Sequence, residues 1–296
     1  MLSKIRSRSR RYILDLGDSS CRLFSSDLAN FLAHDLVTRA DNSVKRRLEA
    51  FALYDYLETI AAFEQRVINP SAERVARGFL DLPFKLRQAA SWIYAEEANH
   101  SATEGDLRVQ LTAATGVSFE NRCPRAIEEF CQALHYLDPK VGLIVELAFA
   151  VVVEITISKA LFYLPRDPLI HPVIRAFVMD HASDEAGHQL CFRALIKLVW
   201  SNLTAGERLL VGQAIPELTA ALLEPDYRRI EAMLRGVGFS TSQAERIRRE
   251  CLPANVVSRQ MVSAARPVTN LFGKELGAFA DLSVSNAFVA AGLLAS

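Results

Sequence analysis

The chain has 296 residues, of which half are hydrophobic and 23% are charged, with 13 glycines and 11 prolines. This composition is typical of a globular protein with a sizeable core, and it excludes a disordered, a collagenous or a small disulfide-stapled chain. Lysine and arginine together number 34, as do aspartate and glutamate, so the formal net charge is zero. A neutral chain has no global field to hold a polyanion, which argues against nucleic-acid binding.

The cysteines and the apolar stretches indicate where the protein resides. Five scattered cysteines with no C-x-x-C pair favour a reducing cytoplasm over a disulfide framework or a zinc site. The apolar stretch 141–164 is long enough to cross a bilayer, but it contains Glu146, Glu154 and Lys159. We therefore predict a buried core helix there and no membrane span. The basic amino terminus, residues 1–28, is predicted to be a flexible arm.

Helical periodicity runs along nearly the whole chain, whereas the alternation of strands and the dipeptides of hairpins are missing. We predict an all-α fold and one domain over residues 1–296. The Asn69-Pro70 pair is expected to stop the first long helix. Residues 42–200 are expected to form the main bundle, and residues 204–296 are expected to form additional helices. The four long helices expected are, in chain order, residues 42–67, 83–103, 139–163 and 172–200.

Two of these helices carry a Glu-x-x-His motif. The second contains Glu97 and His100, and the fourth contains His181, Glu185 and His188. At about 100° per residue, positions three or four apart lie on one face of a helix, so each set of side chains can converge on one point. One such motif is weak evidence, but two on separate long helices indicate a metal site.

Two Glu-x-x-His motifs are typical of di-iron or di-manganese carboxylate sites, in which two further helices each give one glutamate. On the third helix Glu154 lies in the apolar run AFAVVVEITI, where an unpaired carboxylate would cost several kcal/mol. Its distance in sequence from the Pro165 turn matches that of Glu185 from Pro172, whereas Glu146 would be displaced by about 9 Å along the axis. We therefore predict Glu154.

On the first helix the choice is between Glu64 and Glu58, and we prefer Glu64. Carboxylates and imidazoles without a thiolate favour iron or manganese over structural zinc. Glu96 and Asp184 each precede a predicted ligand and are expected to accept the second N–H of a ligating histidine on the opposing helix. The remaining histidines have no acid partner at ligand spacing and are predicted to be structural. The predicted ligands are Glu64, Glu97, His100, Glu154, His181, Glu185 and His188.

The order of these residues resembles that of the AurF-type p-aminobenzoate N-oxygenase family, which belongs to the ferritin-like non-haem di-iron oxygenases. That family has a lone Glu, then Glu-x-x-His, a lone Glu, and His-x-x-x-Glu-x-x-His, as this chain has between residues 58 and 188. The third imidazole, His181, distinguishes it from acyl-carrier-protein desaturases. Glu104 stands where ribonucleotide reductase small subunits typically place a radical tyrosine, so a radical-storage role is not expected.

The resemblance implies a ferritin-like four-helix bundle with extra helices, two iron ions, and O₂ as co-substrate. It also implies N-oxygenation of a small amine in a biosynthetic pathway, either a free arylamine or an amino acid presented on a carrier protein. In this interpretation Glu154, Glu185 and His181 are the catalytic residues. Because the sequence has no flavin or nicotinamide fingerprint, the electrons are expected to come from an external reductant. A homodimer is a further expectation.

Three alternative functions stay open at this point. A desaturase or C-hydroxylase would use the same metals on carbon. A ferritin-like storage protein would oxidise iron without an organic substrate, and a helical interaction protein would hold no metal.

Overall fold

The computed structural model describes residues 11–16, 21–79, 81–118, 123–156 and 158–295. Within these ranges the chain is helical and contains no strand, apart from an isolated bridge between Arg22 and Ile170. The predicted all-α fold class is therefore confirmed.

The helices vary from single turns to more than thirty residues. In chain order the α-helices are α1 (Asp35–Thr38), α2 (Asn42–Phe63), α3 (Asn69–Ala76), α4 (Phe84–Thr115), α5 (Arg125–Tyr136), α6 (Pro139–Thr156), α7 (Ser158–Tyr163), α8 (Pro172–Asn202), α9 (Ala205–Leu223), α10 (Tyr227–Gly236), α11 (Thr241–Cys251), α12 (Ala254–Ala264), α13 (Arg266–Asn270) and α14 (Leu282–Ala290). Short 3₁₀ turns occupy Asn30–Ala33, Leu164–Arg166 and Ala278–Ala280, and π-helical turns occupy Glu64–Ile68 and Leu271–Glu275.

Four long helices form the bundle predicted from the sequence. Helix α2 packs on α4, α4 on α8, and α8 on α6, and the π turn that follows α2 contacts α6 and closes the ring. Helix α9 covers α6 from outside, and α14 packs on α9. This arrangement fits a ferritin-like helical bundle with additional helices.

Local signals explain where the helices begin and end. Helix α4 ends at Gly116, whose φ of 68° is the left-handed conformation that glycine adopts without strain. Helix α8 begins at Pro172, and the ring of His171 accepts a hydrogen bond from the first turn. Helix α9 begins with a capping box between Thr204 and Glu207.

The prediction that Asn69-Pro70 stops the first long helix is wrong. The helical path continues through the π turn Glu64–Ile68 into α3, where Pro70 lies in the first turn. The N–H of Asn69 bonds the carbonyl of Glu64 five residues back, and this wider π spacing directly before Pro70 lets the helix continue past a residue that has no N–H to donate.

Two apolar clusters fill the bundle, one toward each end. On α4, Ile93 belongs to one cluster and Leu107 to the other; on α8, Phe192 and Val178 divide in the same way. The residues between these pairs, 96–104 on α4 and 181–188 on α8, include the acidic and histidine side chains. A polar layer therefore lies between two apolar clusters that keep water away from its ends.

The apolar segment that the sequence predicts as a core helix lies in the protein interior. The helical stretch Pro139–Arg166 is long and apolar enough to cross a membrane, but 81% of its most apolar window is buried inside the protein. Burial by the surrounding helices is the environment expected of a core helix.

The prediction of a flexible arm over residues 1–28 is wrong for the part that the structure describes. Leu14 and Leu23 are buried, and the Gln110 side chain bonds both the N–H of Leu14 (2.7 Å) and the carbonyl of Tyr12 (2.9 Å). The Tyr12 hydroxyl donates to Asp180 on α8 at 2.6 Å. These contacts join residues about a hundred or more positions apart, so local composition gave no sign of them. Residues 1–10 and 17–20 lie outside the described residues.

Candidate metal centre

The structure brings all seven predicted ligand residues into the polar layer of the bundle, and each of them is buried. Their donor atoms form two groups, and within each group the atoms lie within 4.8 Å of one another. One group has three members and the other has four. The first consists of Glu64, His100 and His181, and the second consists of Glu97, Glu154, Glu185 and His188.

A π turn places the first-helix glutamate. Glu64 opens the turn, and its carbonyl accepts a bond from the N–H of Asn69, five residues on. Such turns shift the side chains that follow out of the α-helical register, and they are frequent at functional sites. The hydroxyl of Ser101 on α4 donates to Glu64 Oε2 at 2.7 Å, which leaves Oε1 facing the imidazoles.

The alternative first-helix residue, Glu58, lies outside both groups. It forms a buried ion pair with Arg229 of α10 at 2.9 Å and lies 3.6 Å from Arg108. Asp55, one turn earlier on α2, also binds Arg229. Glu58 is therefore part of a charge network that joins α10 to the bundle, a role that does not need a metal.

Glu97 and Glu185 belong to the second group and also lie close to the imidazoles of the first. The Oε1 atom of Glu97 is 2.7 Å from His188 Nδ1, and its Oε2 is 3.5 Å from His100 Nδ1. The Oε1 atom of Glu185 lies 3.0 Å from His181 Nε2 and 3.5 Å from His188 Nδ1. Each carboxylate can therefore reach both groups, as a bridging ligand must.

The two residues predicted to orient the histidines lie against the predicted rings. Glu96 Oε2 is 2.9 Å from His188 Nε2, and Asp184 Oδ2 is 3.2 Å from His100 Nε2. Each contact crosses between α4 and α8. When Nε2–H donates to the acid, the lone pair of Nδ1 faces the centre, which is how outer carboxylates orient ligating histidines.

The buried polar atoms of the centre fit a metal. Neither oxygen of Glu97 or of Glu154 has a hydrogen bond, and the same holds for Nδ1 of His100 and of His188. Buried polar atoms are normally paired, because an unpaired one costs about 1–3 kcal/mol, and more when it is charged. Here these atoms lie close together, the nearest pair being Glu97 Oε1 and His188 Nδ1 at 2.7 Å, as atoms do that bind a common metal ion.

The charge of the centre also fits. The two groups together contain four carboxylates and three imidazoles, so two divalent cations would balance the carboxylates. Burial, followed by the neighbouring Glu185 and Glu97, raises the pKa of Glu154 well above its ordinary value. Burial acts in the same direction on Glu185, but His188 and His181 outweigh it and hold the pKa of Glu185 well below the ordinary range.

Burial acts on the pKa of His188 in the opposite sense to its effect on the carboxyls. Burial opposes the charged form of His188, but Glu185 and Glu97 beside it raise its pKa well above the ordinary value. The centre thus attracts positive charge, whether it arrives as protons or as metal ions.

Sequence reasoning did not assign Glu104 to this layer. This side chain is fully buried on α4, one turn after His100, and its Oε1 lies 3.8 Å from His181 Nδ1. Burial raises its pKa to about 8. Its position seven residues after Glu97 places it on the same face of the helix, which was the available signal.

Comparison with known protein families gives a match to most of the chain. The family model described as p-aminobenzoate N-oxygenase AurF matches residues 15–277. A search of curated proteins gave no match. The matched range extends beyond the motifs on both sides and includes most of the helices after α8.

Proposed function

Because the chain belongs to the p-aminobenzoate N-oxygenase AurF family, we propose that it binds two iron ions in the polar layer and uses O₂ to oxidise the nitrogen of a small amine. The observation that supports this most strongly is that Glu97 and Glu185, members of the four-residue group, also lie within 3.5 Å of an imidazole of the three-residue group. The family supplies the reaction class, an oxygenation, and the buried donors supply a place for the metals.

The proposed roles follow from the contacts. Two bound irons would supply the electrons and open coordination positions that activate O₂. Glu154, with both oxygens unbonded, can ligate through one or both of them. Glu185 lies within reach of imidazoles in both groups, and His181 completes the smaller group. The apolar clusters above and below exclude water, which protects a reactive centre from side reactions.

The reaction must balance. One amine, one O₂, two electrons and two protons give one hydroxylamine and one water, and further turnovers would carry the nitrogen to nitroso or nitro. We propose that an external reductant delivers the electrons. The proposed substrate is an arylamine or an amino acid presented on a carrier protein.

The experiment is a single turnover with p-aminobenzoate as the probe. Protein loaded with Fe(II) under anaerobic conditions is mixed with the probe and ¹⁸O₂, and the products are analysed by mass spectrometry. We expect product that carries ¹⁸O on nitrogen, and we expect none from a His188→Ala variant. His34→Ala is the matched control, because His34 pairs with Glu250 and belongs to neither donor group, so its substitution should leave the yield unchanged.

Other products identify the other functions. Loss of two hydrogens or hydroxylation at carbon, in a screen of amines and acyl substrates, would favour the desaturase or C-hydroxylase. A mineral core of many irons per chain would favour storage. Absence of iron binding in the wild type would contradict the proposal.

A further inference from the structure

The three imidazoles of the centre differ in how their outward nitrogens are held. His188 and His100 each present Nε2 to a carboxylate on the opposing helix, Glu96 and Asp184 respectively. His181 has the reverse orientation, since its Nε2 faces Glu185 and its Nδ1 points outward. That Nδ1 is buried and has no hydrogen bond.

Glu104 lies beside this nitrogen, and the contact crosses the same α4–α8 interface as the other two pairs. Its Oε1 lies 3.8 Å from His181 Nδ1, and neither of its oxygens has a hydrogen bond. A buried, unpaired carboxylate beside a buried, unpaired ring nitrogen is costly on both sides. A movement of less than about 1 Å would bring the two into hydrogen-bond range.

We infer that Glu104 is the positioning residue of His181: it accepts the Nδ1–H bond and thereby keeps the Nε2 lone pair free for a metal ion on the side where Glu64 and Glu185 lie. This inference rests on the proposed metal centre. It gives each of the three imidazoles its own outer carboxylate, two of which come from α4 and one from α8. A neutral imidazole has one donor and one acceptor nitrogen, so fixing the donor fixes the ligating atom.

The contact pattern favours this role over direct ligation. Glu104 is not a member of either donor group, whereas the seven other residues are. Its neighbour across the helix turn, Arg108, is directed to Glu58 at 3.6 Å. Glu104 therefore lies next to the donor residues without being one of them.

The test uses full-length protein loaded anaerobically with Co(II), read by proton NMR and by metal titration. A histidine bound to Co(II) through one nitrogen shows the N–H of its other nitrogen as a shifted, solvent-exchangeable resonance. We expect three such resonances in the wild type. Glu96→Gln and Asp184→Asn should each shift one of them, which assigns two of the three.

Glu104→Ala should remove the third resonance through fast exchange with water and weaken Co(II) binding by about 10–100-fold, as is typical of outer-ligand substitutions. Glu104→Gln, which keeps an accepting oxygen, should retain the resonance at a changed position with a smaller loss of affinity. If Glu104→Ala does not fold, as judged by circular dichroism, the shift of one resonance in Glu104→Gln carries the test.

Three unchanged resonances in Glu104→Gln, or in a folded Glu104→Ala with an affinity within twofold of the wild type, would overturn the inference and leave the metal centre intact. A Co(II) d–d spectrum in Glu104→Gln whose intensity shows a changed coordination number would also overturn it, since that result makes Glu104 a ligand. A wild type that binds no Co(II) or Fe(II) would overturn the proposed function together with this inference.

Discussion

Replacing Glu154 by glutamine should stabilise the metal-free protein and weaken its response to metal. Glu154 is 1% exposed on α6, and neither of its oxygens has a hydrogen bond. Burial and the adjacent Glu185 and Glu97 raise its pKa well above the ordinary 4.5. Folding therefore binds a proton at this site, and the substitution removes that requirement at the cost of one metal ligand.

The magnitude follows from linkage. For a carboxyl of unfolded pKa 4.5 whose pKa is raised on folding, the cost to the folded state at pH 7 is at most about 3 kcal/mol, because each pH unit contributes about 1.4 kcal/mol. Allowing for the desolvation of the glutamine amide, we expect Glu154→Gln to raise the free energy of unfolding by about 2 kcal/mol at pH 7 and Tm by about 4 °C. A carboxyl whose pKa is raised on folding stabilises the folded protein below the unfolded pKa, and this contribution is lost as pH rises. The difference in the free energy of unfolding between Glu154→Gln and the wild type should therefore disappear near pH 4.5.

The assay is thermal unfolding of the two proteins from pH 4.5 to 8, with and without Fe(II) under anaerobic conditions. Metal at 100 times its dissociation constant stabilises the wild type by about 2.7 kcal/mol per site, and most of this gain should be lost in Glu154→Gln. Glu146→Gln is the matched control on the same helix. Glu146 binds Arg74 at 2.8 Å, and burial raises its pKa despite this partner, so the two effects oppose each other and its substitution should change stability by less than about 1 kcal/mol and leave the metal response intact. A Glu154→Gln variant that is destabilised without metal, or that retains the full metal response, would refute this reasoning.

Two further predictions concern the first helix and the packing of the outer helices. Glu58→Gln should lower the free energy of unfolding by about 1–3 kcal/mol, because it breaks a buried ion pair, yet keep the metal content of the wild type. Glu64→Gln should bind metal at least tenfold more weakly. Equilibrium dialysis with elemental analysis distinguishes the two, and equal losses of metal from both variants would contradict the assignment. Gly212→Ala should destabilise the protein by about 1–3 kcal/mol in urea unfolding, because its Cβ would lie 2.7 Å from Val284 Cγ2. Gly206→Ala on the same helix, whose Cβ would have no atom within 4 Å, should be neutral or slightly stabilising. A Gly212→Ala variant as stable as Gly206→Ala would contradict this prediction, because it would show that α14 moves away from α9 at no measurable cost in stability.

The sequence was sufficient to predict the parts of the centre that depend on helical spacing. His181, Glu185 and His188 recur at intervals of four and three, which places them on one face of any α-helix. Glu154 was recognisable as a carboxylate within an apolar run. The family resemblance drawn from these motifs is confirmed by the match over residues 15–277.

The parts that the sequence left open depend on breaks in that spacing or on distant contacts. A π turn and the short helix α3 lie between Glu64 and α4, so counting turns back from α4 could not separate Glu64 from Glu58. The role of Glu58 depends on Arg229, 171 residues away. Glu104 is a single acid without a histidine at ligand spacing on its C-terminal side, so its place beside His181 emerges only when α4 meets α8.

The most direct test of the central claim is a Mössbauer spectrum of protein loaded anaerobically with ⁵⁷Fe(II) and then exposed to O₂, together with an iron count. The two donor groups predict about two irons per chain, and Glu97 and Glu185, which lie within reach of imidazoles in both groups, predict that oxidation gives a coupled diferric pair with no magnetic splitting at low field. A matched sample of His188→Ala should lose this signal. Iron below one per chain, or the magnetically split spectrum of isolated ferric ions, would contradict the account.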